Sequence, residues 1–239
     1  MILAAAGPVI PQFGKPSRCV QDNHWFCSDW VRHNWHSVLE PRLVQHVELT
    51  FIAVGIGFPI AFALALVAYR RRYLTGAIGA ASDFLYTIPS AALFQLLVPL
   101  TGLTWTTIEI ALVSYTLLIL FRNTLVGLRD VPEDVKEASR GMGLTRLQTL
   151  LRVEIPLALP AIVAGLRIAV VSTISIATIA GFIVLNKGLG RPINDAIQTN
   201  VFKTEIVAAG GLTVALALAC DAALVVALRL ATPWTRRRA

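Results

Sequence analysis

Five long apolar runs constrain this chain more than any other feature. They cover about His46–Tyr69, Thr75–Val98, Thr104–Val126, Leu157–Leu185 and Glu205–Leu228. Each is long enough, at 1.5 Å rise per helical residue, to cross a hydrocarbon layer of about 30 Å. Lipid offers no partner for an open backbone N–H or C=O, so such runs close their hydrogen bonds internally, as α-helices rather than lone strands. Composition agrees. Of the 239 residues, 56% are hydrophobic and 15% charged, against about 25% charged in an ordinary soluble domain. Mean hydropathy is +0.68. The expected fold class is an all-α membrane protein with five transmembrane helices.

The formal net charge of +7 would raise nucleic acid as a partner for a soluble protein. In a membrane protein the informative question is where the basic residues lie relative to the spans. With the N-terminus outside, thirteen Lys and Arg residues fall on the inner side and seven on the outer side. That bias predicts an N-outside, C-inside, multi-pass protein of the cell membrane, with lipid as a partner and the charged stretch Leu128–Pro156 in the cytoplasm. Met1–Phe13 has no basic flank, and Pro8 and Pro11 interrupt its short apolar run, so no cleaved signal peptide is expected.

Residues 1–40 differ in composition from residues 41–239, which hold all five runs. Trp25, Trp30 and Trp35 recur every five residues beside His24, His33 and His36, a pattern suited to the headgroup region. Cys19 and Cys27 lie on the predicted oxidising side, where a disulfide closing this small loop and two free thiols are both open readings. A Cys/His metal site matches no familiar ligand spacing, so no metal is expected. Cys220, inside the fifth run, reads as a small packing residue.

The cytoplasmic stretch is the most informative. Asp130, followed by Pro132 and Glu133, predicts a capped helix running to about Arg140. Gly141 and Gly143 then break it, Thr145 with Gln148 forms a capping box for a second helix, and Pro156 ends that helix or starts the next span. The expectation is two short helices joined by a glycine turn, flat against the membrane. Helix, glycine turn and helix also describe a DNA-binding helix-turn-helix, but tethering to spans at both ends keeps this loop out of a major groove.

Within that stretch, Glu137-Ala138-Ser139 is followed, after three intervening residues, by Gly143 and, after nine more, by Val153-Glu154-Ile155-Pro156. This resembles the EAA loop of ABC importer permeases, with Ser139 for the second Ala and Val153 and Ile155 for Ile and Leu. The resemblance implies the type I importer permease fold, and a coupling role for Glu137, Ala138, Ser139, Gly143, Val153, Ile155 and Pro156 in docking a separate cytoplasmic ABC ATPase. It also implies an extracytoplasmic substrate-binding protein and a second permease copy or paralogue. Thr87-Ile88-Pro89-Ser90, Phe121–Gly127, Gly141–Gly143, Pro156–Pro160 and Gly165–Arg167 together resemble permeases for glycine betaine, choline or carnitine. The likeness departs at Leu185–Gly190, where a more glycine-rich outer loop would be expected. Importer permeases for amino acids or other small solutes are the alternative within the same class.

Asp83, Glu109, Arg167 and Asp221 fall inside predicted spans, where ionisable groups are costly and face a bundle interior or an aqueous path. Arg167 reads as one half of an ion pair with Asp83 or Asp221. Thr87, Pro89 and Ser90 can unwind a helix locally, which is tolerated only along a protein-lined cavity, and a plain proline kink is the competing reading. With Arg122, Asn123, Thr124 and Arg167 they form the candidate translocation pathway. Tyr86, Phe94 and Tyr115 offer aromatic faces of the kind that hold a quaternary ammonium, although aromatic residues in spans more often pack. No Gly-x-x-x-x-Gly-Lys-Ser/Thr occurs. The chain is therefore expected to bind no cofactor, with ATP and Mg held by the ATPase. A membrane-embedded enzyme would need a converging nucleophile–base or metal set, and His46 is the only histidine near a span. A single-chain secondary transporter would show internal repeats, and none is visible.

Overall fold

The structure is a computed structural model, and it describes residues 17–183, 187–199 and 201–233. The tail Arg236–Arg238, Lys15 and Met1–Phe13 lie outside them. Among the described residues all regular structure is helical. In chain order the helices are α1 (Arg18–Gln21), α2 (Ser28–Asn34), α3 (Glu40–Arg70), α4 (Leu74–Thr87), α5 (Ser90–Thr101), α6 (Trp105–Arg129), α7 (Glu133–Gly141), α8 (Arg146–Thr149), α9 (Ile155–Ile183), α10 (Gly190–Gln198) and α11 (Lys203–Ala231).

The bundle is built around α6, which packs between α3 and α9, while α11 packs on α9. Small residues set this packing. Ala53, Ala61, Ala65 and Ala68 are fully buried along α3, at mostly i, i+4 spacing, so they form one ridge. Such a stripe lets two backbones approach closely, which is how helices associate where lipid removes most of the hydrophobic driving force. Against it lie Leu120, Phe121 and Leu125 of α6, and nearer the other end Ile108, Leu112 and Tyr115.

Among the described residues, four continuous helices are long and apolar enough to span a membrane: Ser28–Arg70, Trp105–Arg129, Arg146–Gly181 and Lys203–Ala231. The second predicted span is not one of them. It divides into α4 and α5, bent by 94°, so neither half alone, at about 21 Å or less, crosses the layer. The break falls at Ile88 and Pro89, both extended (φ −68°, ψ 124° and φ −55°, ψ 136°). Proline disfavours the helical region for the residue before it and has no N–H to donate.

Three further structural features bear on the expectations. The boundary at residue 40 falls inside a continuous helix, because α2 runs through a π-helical turn (Trp35–Leu39) into α3. The second loop helix, α8, is not a separate surface helix: it continues through another π turn (Leu150–Glu154) into α9. Pro156, lacking an N–H, is accommodated just after that wider turn. The connection after α9 holds a helix of its own, α10; of the stretch Leu185–Gly190, where a more glycine-rich loop would be expected, Leu185 and Asn186 lie outside the described residues.

The two ends of the bundle differ. At one end, Arg129 donates to Thr75 Oγ1 (2.8 Å), and α7 and α8 lie close by. At the other, the Lys187 ammonium sits 4.9 Å over the Trp105 ring, beside α10, the start of α11 and the N-terminal residues.

Candidate functional site

The loop Asp130–Glu154 is fixed by local chemistry. Asp130 follows α6, its N–H returning to Val126 O, and Pro132 rather than Asp130 precedes the first turn of α7, without a side-chain cap. At the far end of α7, Gly141 is still helical. Gly143 makes the turn, with φ +84°. The Gly143 N–H returns to Arg140 O (2.9 Å) and the Leu144 N–H to Ser139 O (3.2 Å). That is a Schellman closure, which wants glycine at this position. Thr145 and Gln148 then form the predicted capping box: Thr145 N–H donates to Gln148 Oε1 (2.8 Å) and Gln148 N–H to Thr145 Oγ1 (3.3 Å).

The helix so fixed has an inner and an outer face. Lys136 and Ser139 are buried. Ser139 Oγ donates back to Val135 O (2.7 Å), so its hydroxyl is spent within the helix. Lys136 pairs with Glu133 (3.4 Å) and lies 5.8 Å from the Tyr69 ring centroid at the end of α3. Burial opposes the Lys136 charge, but the Tyr69 hydroxyl and the Glu133 carboxylate outweigh it and hold its pKa above the ordinary lysine value. Glu137, Ala138, Arg140 and Met142 face outward. Met142, 71% exposed, and Leu147, 55% exposed, extend this face with apolar area. Lys136 did not stand out in the sequence, and Met142 stood out only within the Gly141–Gly143 likeness. The available signal was the strong two-sided pattern of α7, with Lys136 and Ser139 on one face and Glu137, Ala138 and Arg140 on the other. Val153, Ile155 and Pro156 are half-buried where the π turn joins α9, and Ile155 packs against Leu128, Leu150, Ala158 and Ile162.

The other candidate residues cluster along the seam between α4 and α6. Arg122 donates to both carboxylate oxygens of Asp83 (2.7 and 2.6 Å). One turn further along α4, the Tyr86 ring meets Tyr115 edge-on, with centroids 5.8 Å apart. The Tyr115 hydroxyl donates to Ile88 O, satisfying a carbonyl that the broken helix leaves without its usual partner. Thr87 Oγ1 donates to Phe84 O (2.8 Å). Tyr86, Thr87, Pro89 and Arg122 are exposed in the single chain, whereas Thr124 and Phe94 are buried in the core. Asn123 donates to Ile119 O (2.8 Å) and packs directly against Gly165 of α9.

Of the two acids open as partners for Arg167, Asp221 is the one. Arg167 Nε and Nη2 donate to its two oxygens at 2.7 and 2.8 Å, tying α9 to α11. Glu109 is different: both carboxylate oxygens are buried without a hydrogen-bond partner among the described residues, and the single chain offers no account of it. His46 is fully buried and binds at both ring nitrogens: Nε2 lies 3.0 Å from Ile174 O, and Nδ1 accepts from the Leu189 N–H at 3.3 Å. It therefore joins α3, α9 and the connection between α9 and α10. Cys19 and Cys27 are joined in a disulfide.

The comparisons with known proteins point one way. The family described as "Binding-protein-dependent transport system inner membrane component" matches residues 55–235. The choline transport system permease protein OpuBB of Bacillus subtilis is 35% identical over 198 residues, covering 82% of this chain and 90% of that one. The glycine betaine/carnitine/choline transport system permease protein OpuCB of the same organism is 34% identical over 190 residues, covering 79% and 86%. The osmoprotectant import permease protein OsmW of Salmonella typhimurium is 38% identical over 177 residues, covering 72% and 81%. Among solved structures, the MetNI methionine ABC transporter in inward-facing conformations aligns with a TM-score of 0.75 and 21% identity over 84% of this chain and 98% of that one, a likeness of fold. This chain therefore belongs to the binding-protein-dependent transport system inner membrane components, as a permease subunit of an ABC importer and not the subunit that hydrolyses ATP.

Proposed function

We propose that this permease imports a small osmoprotectant of the glycine betaine, choline or carnitine class. The observation that carries the reading is the agreement of relatives 34–38% identical over most of the chain, all named for such solutes. In this reading the N-terminus is outside and the C-terminus inside. An extracytoplasmic binding protein delivers substrate, a second permease copy or paralogue completes the pathway, and a cytoplasmic ATPase holds ATP and Mg. The ATPase docks on the outward face of α7, at Glu137, Ala138, Arg140 and Met142. Lys136 on Tyr69 and the capping box hold that face rigid, and the unbroken run from α8 into α9 carries its displacement to Arg167. The two permease halves then rock as rigid bodies.

Substrate passes along the α4–α6 seam. Tyr86 presents a ring face to a quaternary ammonium, while Arg122 and Asp83 offer both charges to a zwitterion. Thr87, Pro89, Ser90, Asn123 and Arg167 line or support this route, and Thr124 packs behind it. The test is ATPase activity of the reconstituted complex with its binding protein, measured with glycine betaine, choline, carnitine and proline. Stimulation by one or more of the first three, with proline inactive, is expected. Stimulation by proline alone would overturn the substrate class.

A further inference from the structure

The family match begins at residue 55, so the disulfide-closed N-terminal loop lies before it. That loop is nevertheless tied to the far end of the sequence. Asn23, midway between Cys19 and Cys27, donates from Nδ2 to Val201 O (3.1 Å) and accepts at Oδ1 from the Lys203 N–H (2.9 Å). His24 O accepts from Thr204 Oγ1 (2.9 Å). The Lys203 ammonium lies 5.3 Å over the Trp25 ring, and Trp30 meets Phe202 edge-on at 5.3 Å. These contacts converge on the corner between α10 and α11. There Val201, a β-branched residue, takes φ +53°, a conformation that persists only where surrounding contacts enforce it. Asn23 itself has φ +50°, tolerable for Asn.

The opposite end of the same outer segment is held separately. Gln45 Oε1 accepts from the Gly188 N–H (3.2 Å), and His46 holds Leu189. Neither contact involves the disulfide loop.

We infer that the Cys19–Cys27 loop is a clamp on the α10–α11 corner, closed only while its disulfide is intact. Ring closure confines Asn23 and His24 to one geometry. Reduction by a dithiol or phosphine delivers two electrons and two protons, gives two thiols, and removes the ring constraint on Asn23 and His24. The corner is then ordered in an oxidising compartment and released in a reducing one.

Hydrogen exchange on the purified full-length protein tests this without reference to substrate. Loss of the Asn23 and His24 hydrogen bonds should speed exchange in peptides covering 201–206 by roughly tenfold, while peptides covering 187–190 stay unchanged. The Cys19→Ser/Cys27→Ser variant should show this, as should Asn23→Ala with the disulfide present. Reductant should reproduce it in the wild type and add nothing in the double variant. If the double variant does not fold, reductant added to folded wild type decides the matter. Unchanged exchange at 201–206 after confirmed reduction would overturn the clamp.

Discussion

At Gly165 a hydrogen atom in place of a side chain decides how closely α6 and α9 approach. A Cβ there would lie 2.4 Å from Asn123 Cβ, an atom fixed to the α6 backbone that cannot swing away. Gly165→Ala should destabilise the protein by about 1–3 kcal/mol and lower its melting temperature in detergent. Gly141→Ala, where a Cβ meets nothing within 4 Å in a helical turn, should be neutral or slightly stabilising. Equal melting temperatures for the two variants would refute the close approach. The Arg167–Asp221 pair makes a second residue-scale case. Removing one partner strands a charge inside a span, so Arg167→Ala should reduce folded yield more than Arg167→Ala combined with Asp221→Ala. Asp83→Ala should give no such relief, because Asp83 serves Arg122. Recovery with Asp83 and not Asp221 would reverse the assignment.

Among the elements, α7 is where the proposed coupling can be tested apart from folding. Its outward face makes no contact that the spans need, so Glu137→Lys should leave membrane insertion unchanged and abolish uptake at normal expression. Gly143→Val acts through the backbone, since a non-glycine residue at φ +84° costs about 1–2 kcal/mol and a branched one more. It should tilt α7 against α8 and weaken co-purification with the ATPase. Wild-type uptake and ATPase recovery in both variants would mean that this helix does not couple. The motif residues were legible because their spacing encodes a local structure: a Schellman turn and a capping box close within the residues that name them. The pattern placed Ser139 on one face of α7 without saying that this face turns inward. That depends on where α7 lies against Tyr69, a contact 67 residues away along the chain between Lys136 and Tyr69.

At the scale of the molecule, the ends sort by charge and by chemistry. The disulfide end carries Trp25, Trp30, Trp35 and Trp105, α10 and the start of α11; the other end carries α7, α8 and Arg70–Arg72. The basic bias predicts the first outside and the second inside. In intact cells expressing a Cys220→Ser variant, an impermeant thiol reagent applied after reduction should label Cys19 and Cys27. Labelling only after lysis would invert the topology. From Gly210 to Ala231 no residue of α11 is buried within the single chain, as suits a helix that faces lipid or a second permease.

What the sequence alone determined follows from short-range rules. Apolar run length specified membrane helices, proline at 89 specified a break, and the spacing of Glu137, Gly143 and Pro156 specified the loop and its kin. Tertiary structure decided whatever depends on two distant segments meeting. It bent α4 from α5 by 94° rather than merely kinking one span, because Tyr115 of α6 takes up the Ile88 carbonyl. It chose Asp221 for Arg167 and Asp83 for Arg122, since depth in the membrane alone does not say which helices are neighbours. It also joined residues 23–24 to residues 201–204, a pairing with no periodicity or motif to announce it.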